Sequence, residues 1–413
     1  THGQNVAIGY SALSSVTGSV SGNTAVGSNA GYNNTGIGNT FLGCSTSSSS
    51  AHWNTMVGHS SGHYLNTGGE NVYVGVHAGS NATSGDQNVY LGGYAGYAST
   101  TNAENVAIGY DALRTTTTGH VTWDGAVAVG YEALKDQNDS AERNTAIGYQ
   151  AFANLTSGGA STAVGHRAGD ALTTGGGCTL IGAACGGTVI DPTSLTAVGY
   201  NAVSYDCADY NTVMGAHAFA GSGSRNVVIG YQAMGDGGGA GGDSNVVIGS
   251  EAGKPVSGGG NILLGRLAGR YITSGDYNVC IGNHTGYAQW SGVALTTGEH
   301  NILIGAASEV AAADDDHCIV IGCKGDGNTD GSVGKGDDTG FINANGGGNY
   351  AGNNSASWST TSDRRIKKNI VDSTAGLAEI NQIQVRNFEY RLPEEVDKEL
   401  PQSAAIEKEG IQV

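Results

Sequence analysis

Proline is nearly absent from this chain: four occur in 413 residues. That is too few for a polyproline rod, and the glycines keep no three-residue period, which excludes collagen. Charge is sparse as well, at 13% of residues. Disordered chains combine low hydrophobicity with high charge, so this chain is not built like one. Most of the charge that is present has one sign. Eighteen Lys and Arg stand against 36 Asp and Glu, a net −18. Phosphate contacts need clustered cations, so nucleic acid is excluded as a partner. No run of 18 apolar residues occurs, so neither a spanning helix nor membrane insertion is expected. The seven Cys include no C-x-x-C pair, and an odd number without paired spacing argues against a disulfide framework. Cys280 stands where other segments place Ala, Val or Leu and reads as a reduced, buried filler. Assembly in a reducing cytoplasm fits that reading.

What the chain does have is glycine, 71 residues of it, more than twice the usual share. The glycines recur with neighbours. Aligning N-V-A-I-G-Y-S-A-L from Asn5, N-V-Y-V-G-V-H-A-G from Asn71 and N-T-A-I-G-Y-Q-A-F from Asn144 exposes a repeat. Nineteen units follow, anchored on Gly9, Gly27, Gly38, Gly58 and onward to Gly322, and eight of the 18 intervals are 17 residues. The residue before the anchor is always Ile, Val, Leu or Met, and the residue three before it is always Val, Thr or Ile. Period-2 spacing puts those two on one face of a strand, and β-branching favours extended backbone. The residue between them is mostly apolar too, so both faces are expected to be covered. Asn stands four before the anchor in 14 units, and stacked coils would align those amides in a ladder. Clusters of Gly, Ser, Thr, Asn and Asp between units serve as turns.

Each unit is therefore expected to give a strand of about five residues and a second, shorter one. A single chain of such coils would enclose a thin core. Three parallel copies would bury the second strand face, lined by Ala12, Ala78, Ala151 and Ala233, and would protect the strand edges. The expected fold class is all-β: a repetitive parallel β-roll or β-prism solenoid forming a homotrimeric fibre, about 90 Å long at one strand spacing per coil. Residues 1–323 make the repeat shaft and 324–361 a Gly- and Asp-rich connector. In 362–413 glycine becomes rare, Leu377, Ile380 and Ile383 recur at helical spacing, and 385–391 alternates like a strand. A small α+β domain is expected to begin there.

The N-[TV]-A-[IV]-G-x-x-A-[LG] unit resembles the repeats of bacteriophage tail fibres, and also the head repeats of trimeric autotransporter adhesins. Both resemblances imply a trimeric parallel β-roll or β-prism. Hexapeptide β-helix acyltransferases need about three hexapeptides per coil, and only one or two fit here. The stretch S-D-R-R-I-K-K-N from Ser362 resembles the start of the intramolecular chaperone autoprocessing domain of phage endosialidases, tail spikes and tail fibres. The chain stops at Val413, short of that whole domain as the family has it. In that family a Ser and a Lys five residues later cut the chain before the Ser. The resemblance thus implies Ser362 and Lys367 as a self-cleaving dyad acting on the Thr361–Ser362 bond. The chemistry is reasonable, since a Lys whose pKa is lowered by desolvation can serve as base to a Ser hydroxyl, and Arg364, Arg365 and Lys368 disfavour a further positive charge beside them.

The resemblances imply a virion tail fibre assembled in the host cytoplasm. Its partners would be two further copies of itself, tail proteins upstream and a host cell-surface glycan or protein receptor. The alternatives are a bacterial trimeric surface adhesin head, which should end in a coiled-coil stalk where no heptads occur here, or a polysaccharide-depolymerising tail spike. No metabolic active site is apparent; the Ser–Lys autoprotease is the one catalytic activity expected. Between shaft and chaperone, Asp326, Asn328, Asp330 and Asp337 occupy positions 1, 3, 5 and 12 of a Ca²⁺ loop, with Gly331 at position 6 and Val333 at position 8. No helices flank that loop, and an ordinary Gly-Asp turn reads the same way. The 11 His are scattered; His59, His166 or His284 would meet its copies only near a threefold axis. Asp314, Asp315 and Asp316 read as a solvated turn.

Overall fold

The computed structural model describes residues 3–360, apart from 18, 48, 115–123, 138–142, 236–240, 288–292, 324–331, 344–348 and 352–358. Every regular element among them is a strand. Strands are numbered in chain order: β1 (Val6–Ile8), β2 (Thr24–Val26), β3 (Thr40–Leu42) and so on to β19 (Ile319–Gly322), β20 (Gly340–Asn343), β21 (Asn349–Ala351) and β22 (Ser359–Thr360). From β1 to β20 each strand pairs in parallel with the next, in a constant register that sets Thr162 against Thr179 and Val164 against Ile181. The fold is a parallel β-solenoid. Its last coil reaches past the repeat, where β20 places a buried Phe341 beside Val320. β21 and β22 then add antiparallel strands.

In the repeat the strands are three residues long, four in β19, and not five. The reason lies at both ends. At the start, the Asn four before the anchor spends its backbone N–H on the preceding Asn side chain, as Asn88 does on Asn71 Oδ1 at 2.8 Å. At the end, the anchor Gly turns the chain at φ near +130° to +140°, a conformation closed to other residues. Among the described residues of the repeat, no second strand follows within a coil. Each coil continues as a turn in which the residue two after the anchor, such as Gln150 or Arg167, adopts left-handed φ near +50°.

One anchor is misplaced by the alignment. The third strand ends at Gly43, not Gly38. Asn34-Thr35 before Gly38 mimics the column pattern, but Gly36 would then offer no side chain to the core. Asn39-Thr40-Phe41-Leu42-Gly43 supplies Phe41, which is fully buried.

The core belongs to one chain. From β2 to β19 a central residue of each strand points inward, so Ala25, Phe41, Met56, Tyr73, Tyr90, Ala107 and their successors are fully buried. Opposite them sit the residues three after the anchors, most of them Ala. Ala78, Ala151 and Ala233 are fully buried within their own coils, and Ala12 packs against the same core. They do not form a face against other copies. The expectation failed because the turn segment folds back over the strand, which a two-strand picture does not allow.

Core volume is traded between two positions in each coil. In several coils with a large strand centre, the residue four after the anchor is Gly: Met56 with Gly62, Tyr73 with Gly79, Tyr90 with Gly96. In several coils with an Ala centre, that residue is large: Ala107 with Leu113, Ala128 with Leu134, Ala146 with Phe152. In the Gly27 coil (Ala25 and Gly31) and the Gly165 coil (Ala163 and Gly169) both are small, and neighbours fill the space. A Cβ on Gly169 would lie 2.6 Å from Phe152 and 2.8 Å from Leu180. Constant coil area at native packing density explains the alternation.

Candidate functional site

Three side-chain columns run along the solenoid, and each follows from the repeat. The expected Asn ladder is present. Asn71 Oδ1 accepts both the N–H and the Nδ2 of Asn88, at 2.8 and 3.1 Å, and Asn88 Nδ2 also donates to the carbonyl of Asn102 at 2.8 Å. The pattern recurs from Asn5 to Asn54, with Asn39 sending its N–H to Asn23 Oδ1 but its Nδ2 to Asn34 Oδ1, and from Asn226 to Asn301. Buried amides satisfied in series rigidify the stack. Where Asn is replaced, backbone donation continues: Ser161 donates its N–H to Asn144 Oδ1, and Cys178 donates its own to Ser161 Oγ.

A second ladder was not anticipated. Asp residues six before the anchor accept a backbone N–H from the preceding coil: Asp86 from Gly69 at 2.6 Å, Asp243 from Ser224 at 2.7 Å, Asp316 from Glu299 at 2.7 Å. Recurrent Asp two before the ladder Asn was the available signal, and it was absorbed into the turn-rich background. Asp315 corrects the solvated-turn reading: it is 5% exposed, and its Oδ2 accepts the N–H groups of Ala311 and Ala312 at 2.7 and 2.9 Å.

The third column is exposed. The residue after the anchor is often aromatic, and Tyr110, Tyr131, Tyr149 and His166 stack with centroids 5.9, 5.2 and 5.2 Å apart and planes within 10°. The column beside it is polar. Gln150 Nε2 donates to Glu132 Oε2 at 2.7 Å, and Arg167 Nε pairs with Asp170 at 2.6 Å. The Gln150 bond holds the Glu132 carboxyl below its ordinary pKa, whereas burial raises that of Asp111.

The strand's outward face is different. Its residues, Thr or β-branched at the start and apolar at the end, carry no charge in any coil, and Ile147 and Ile181 are 41% and 40% exposed. An uncharged apolar stripe continuous over the solenoid is larger than isolated surface apolar residues would make.

The buried thiols resist ionisation. Burial pushes Cys280 up to about 12 and Cys185 up to about 11, so the nucleophilic thiolate is suppressed. Cys44 and Cys323 are exposed, unlike the filler expected of the set. His59 packs edge-on to His77 at 5.5 Å, His166 ends the aromatic stack, and His284 Nε2 lies 3.2 Å from Arg266 Nη1. Desolvation, then the neighbouring Arg266, lowers the His284 pKa.

Of the expected Ca²⁺ set, Asp326, Asn328 and Asp330 lie outside the described residues. Asp337 belongs to the Asp ladder, its Oδ1 accepting the Asp316 N–H at 2.9 Å. Among the described residues no group of three His, Cys, Asp or Glu side chains converges as a metal site, and no helix is long and apolar enough to cross a membrane. Ser362 and Lys367 also lie outside the described residues.

By contacts the chain divides between Thr361 and Ser362. No curated protein matches the chain. From the residue after that division, residues 362–408 match the family model described as the chaperone of endosialidase.

Proposed function

We propose that this chain is the shaft of a homotrimeric bacteriophage tail fibre that attaches the virion to a host-surface glycan or protein, its upstream end joined to other tail proteins. The observation that carries the reading is the order of parts: a long parallel β-solenoid is followed in sequence by an endosialidase-type chaperone segment. Such an organisation fits a tail-fibre or tail-spike shaft. Parallel pairing between chains is slow and error-prone, so an aligning device at one end has a clear purpose.

The copies associate through the uncharged strand face. Among the described residues every coil presents this surface without charge, whereas the turn face carries Glu132, Arg167 and Asp170. The wild-type protein should have a native mass three times its 41.5 kDa chain. Glu at both Ile147 and Ile181 points outward from the core, so each coil should still fold. Buried against a copy, such charges are costly, and the double variant should run as a folded monomer. A wild-type protein found monomeric by native mass spectrometry would end the trimer reading.

Ser362 and Lys367 cut the Thr361–Ser362 bond once the trimer has formed. The Ser–Lys spacing and the chaperone match support this. Expressed with its whole chaperone domain, the wild-type chain should yield a product ending at Thr361. Ser362→Ala should leave the longer chain with a normal shaft. Absence of that product from a protein whose shaft is trimeric would rule out self-cleavage.

A further inference from the structure

The exposed aromatic column is interrupted in one place where both flanks are open. After Tyr149 and His166 the corresponding residue is Ala183, and the next is Tyr200, an exposed ring. The polar column is interrupted in the same coil, since Ala184 stands between Arg167 and Asn201. The coils are in register here: Ala184 donates its N–H to the His166 carbonyl at 2.8 Å, and Asn201 donates its own to the Ala183 carbonyl at 3.0 Å. The result is a notch one coil wide, floored by two alanines and walled by His166 and Tyr200.

Its size selects what enters. Two coil spacings separate the walls by roughly 10 Å. A flat aromatic ring at van der Waals distance from both sides needs about 7 to 8 Å, twice the usual carbon–carbon contact. A puckered pyranose is thicker and fits better. Polar groups stand on both rims. Arg167 is 55% exposed and pairs with Asp170 through Nε, so its other N–H groups are not used in that pair. Asn201 Nδ2 lies 3.2 Å from His217 Nδ1, leaving the amide oxygen available. Donors and an acceptor beside aromatic faces match the hydroxyls and C–H faces of a sugar. The next interruption, at Ala216, is less open, because His217 packs edge-on against Tyr200 at 5.2 Å.

We propose that this notch binds one sugar ring of a host-surface polysaccharide, stacked between His166 and Tyr200 and hydrogen-bonded by Arg167 and Asn201. The proposal rests on the host-attachment reading above and locates its contact.

The neighbouring coils supply a variant that should not disturb folding, because Tyr already occupies this column at Tyr149 and Tyr200. Ala183→Tyr should complete the stack and close the notch. Ala306→Tyr makes the same change in a distant coil, and Ala183→Gly keeps the notch open. Each purified trimer is applied to a printed array of bacterial O-antigen and capsular polysaccharides, and its retention on bacterial cells is measured in parallel. Ala183→Tyr should weaken binding to the recognised polysaccharide on the order of tenfold or more, with unchanged melting. Ala306→Tyr and Ala183→Gly should bind within about twofold of wild type. A protein that is retained on cells yet binds no polysaccharide overturns the notch alone. So does an Ala183→Tyr variant that binds like wild type. A protein retained by neither overturns the attachment reading with it.

Discussion

Gly148→Ala should break the shaft at one coil, although it adds a single methyl group. Gly148 has φ +140°, and a Cβ placed there would lie 2.3 Å from the carbonyl oxygen of Gly165 and 2.6 Å from its carbonyl carbon. The obstacle is backbone, so no rotamer change relieves it. Gly165 meets Gly182 in the same way, at 2.5 Å, and sliding one coil disturbs the next. Strain in a glycine-only region costs on the order of 1 to 3 kcal/mol before the clash is counted. A total above about 4 kcal/mol is expected. Each coil touches only its neighbours, so the loss should be local. Limited proteolysis should open the chain between about residues 130 and 182, and thermal unfolding should split into two transitions. Gly177→Ala is the comparison. Gly177 is left-handed at φ +68°, yet its nearest neighbour is 3.5 Å away, and Ala160 holds the equivalent position in the preceding coil at φ +57°. That change should cost less than about 1 kcal/mol. Equal melting of the two variants would mean that stacked anchor glycines do not limit the fold.

The parts of this architecture that could be read from the residues are those set by one column at a time. An Asn at constant distance from a Gly, repeated in 14 units, has little use except a ladder. β-branched residues on either side of a small or apolar one indicate a strand. Relations between columns were harder. Gly38 and Gly43 each satisfy the anchor pattern, and the choice depends on which register sends a side chain inward. The alanines at Ala78 and Ala151 looked like an interface because their partner inside the coil is a turn, built on Gly or on a left-handed residue such as Leu113, which no strand pattern anticipates. Left-handed φ at Gln150, Arg167 and Leu134 is set by stacking on adjacent coils, not by intrinsic preference. The notch at Ala183 is likewise invisible to pattern reading, since it is defined by what two neighbouring coils carry and this one lacks. The dyad at Ser362 and Lys367 came from a resemblance, and residues 362–408 carry the matching family model.

Exchange of volume between strand and turn makes the second large prediction, and it tests whether the two columns act as one. Tyr90 is fully buried, stacked on Tyr73 at 5.0 Å, with its hydroxyl 2.6 Å from Ser99 Oγ. Tyr90→Ala removes the ring and strands the buried Ser99 hydroxyl, so a loss of about 3 to 5 kcal/mol is expected. Gly96→Leu alone should also destabilise. Its Cβ would lie 2.5 Å from the Tyr90 ring, and overpacking costs about 1 to 3 kcal/mol. The pair together recreates the next coil, where Ala107 faces a left-handed Leu113 at φ +51°. A leucine in place of Gly96 would be foreign to an ordinary turn, but here the template is one coil away and the backbone already has φ +58°. The double variant should therefore recover about 2 kcal/mol or more relative to the sum of the single losses. Recovery should stay incomplete, because Ser99 still lacks the phenol and Tyr73 its stacking partner. Chemical denaturation of the four proteins measures the coupling directly. If the two losses simply add, volume is not shared within a coil, and the alternation of large strand centres with turn glycines has another origin.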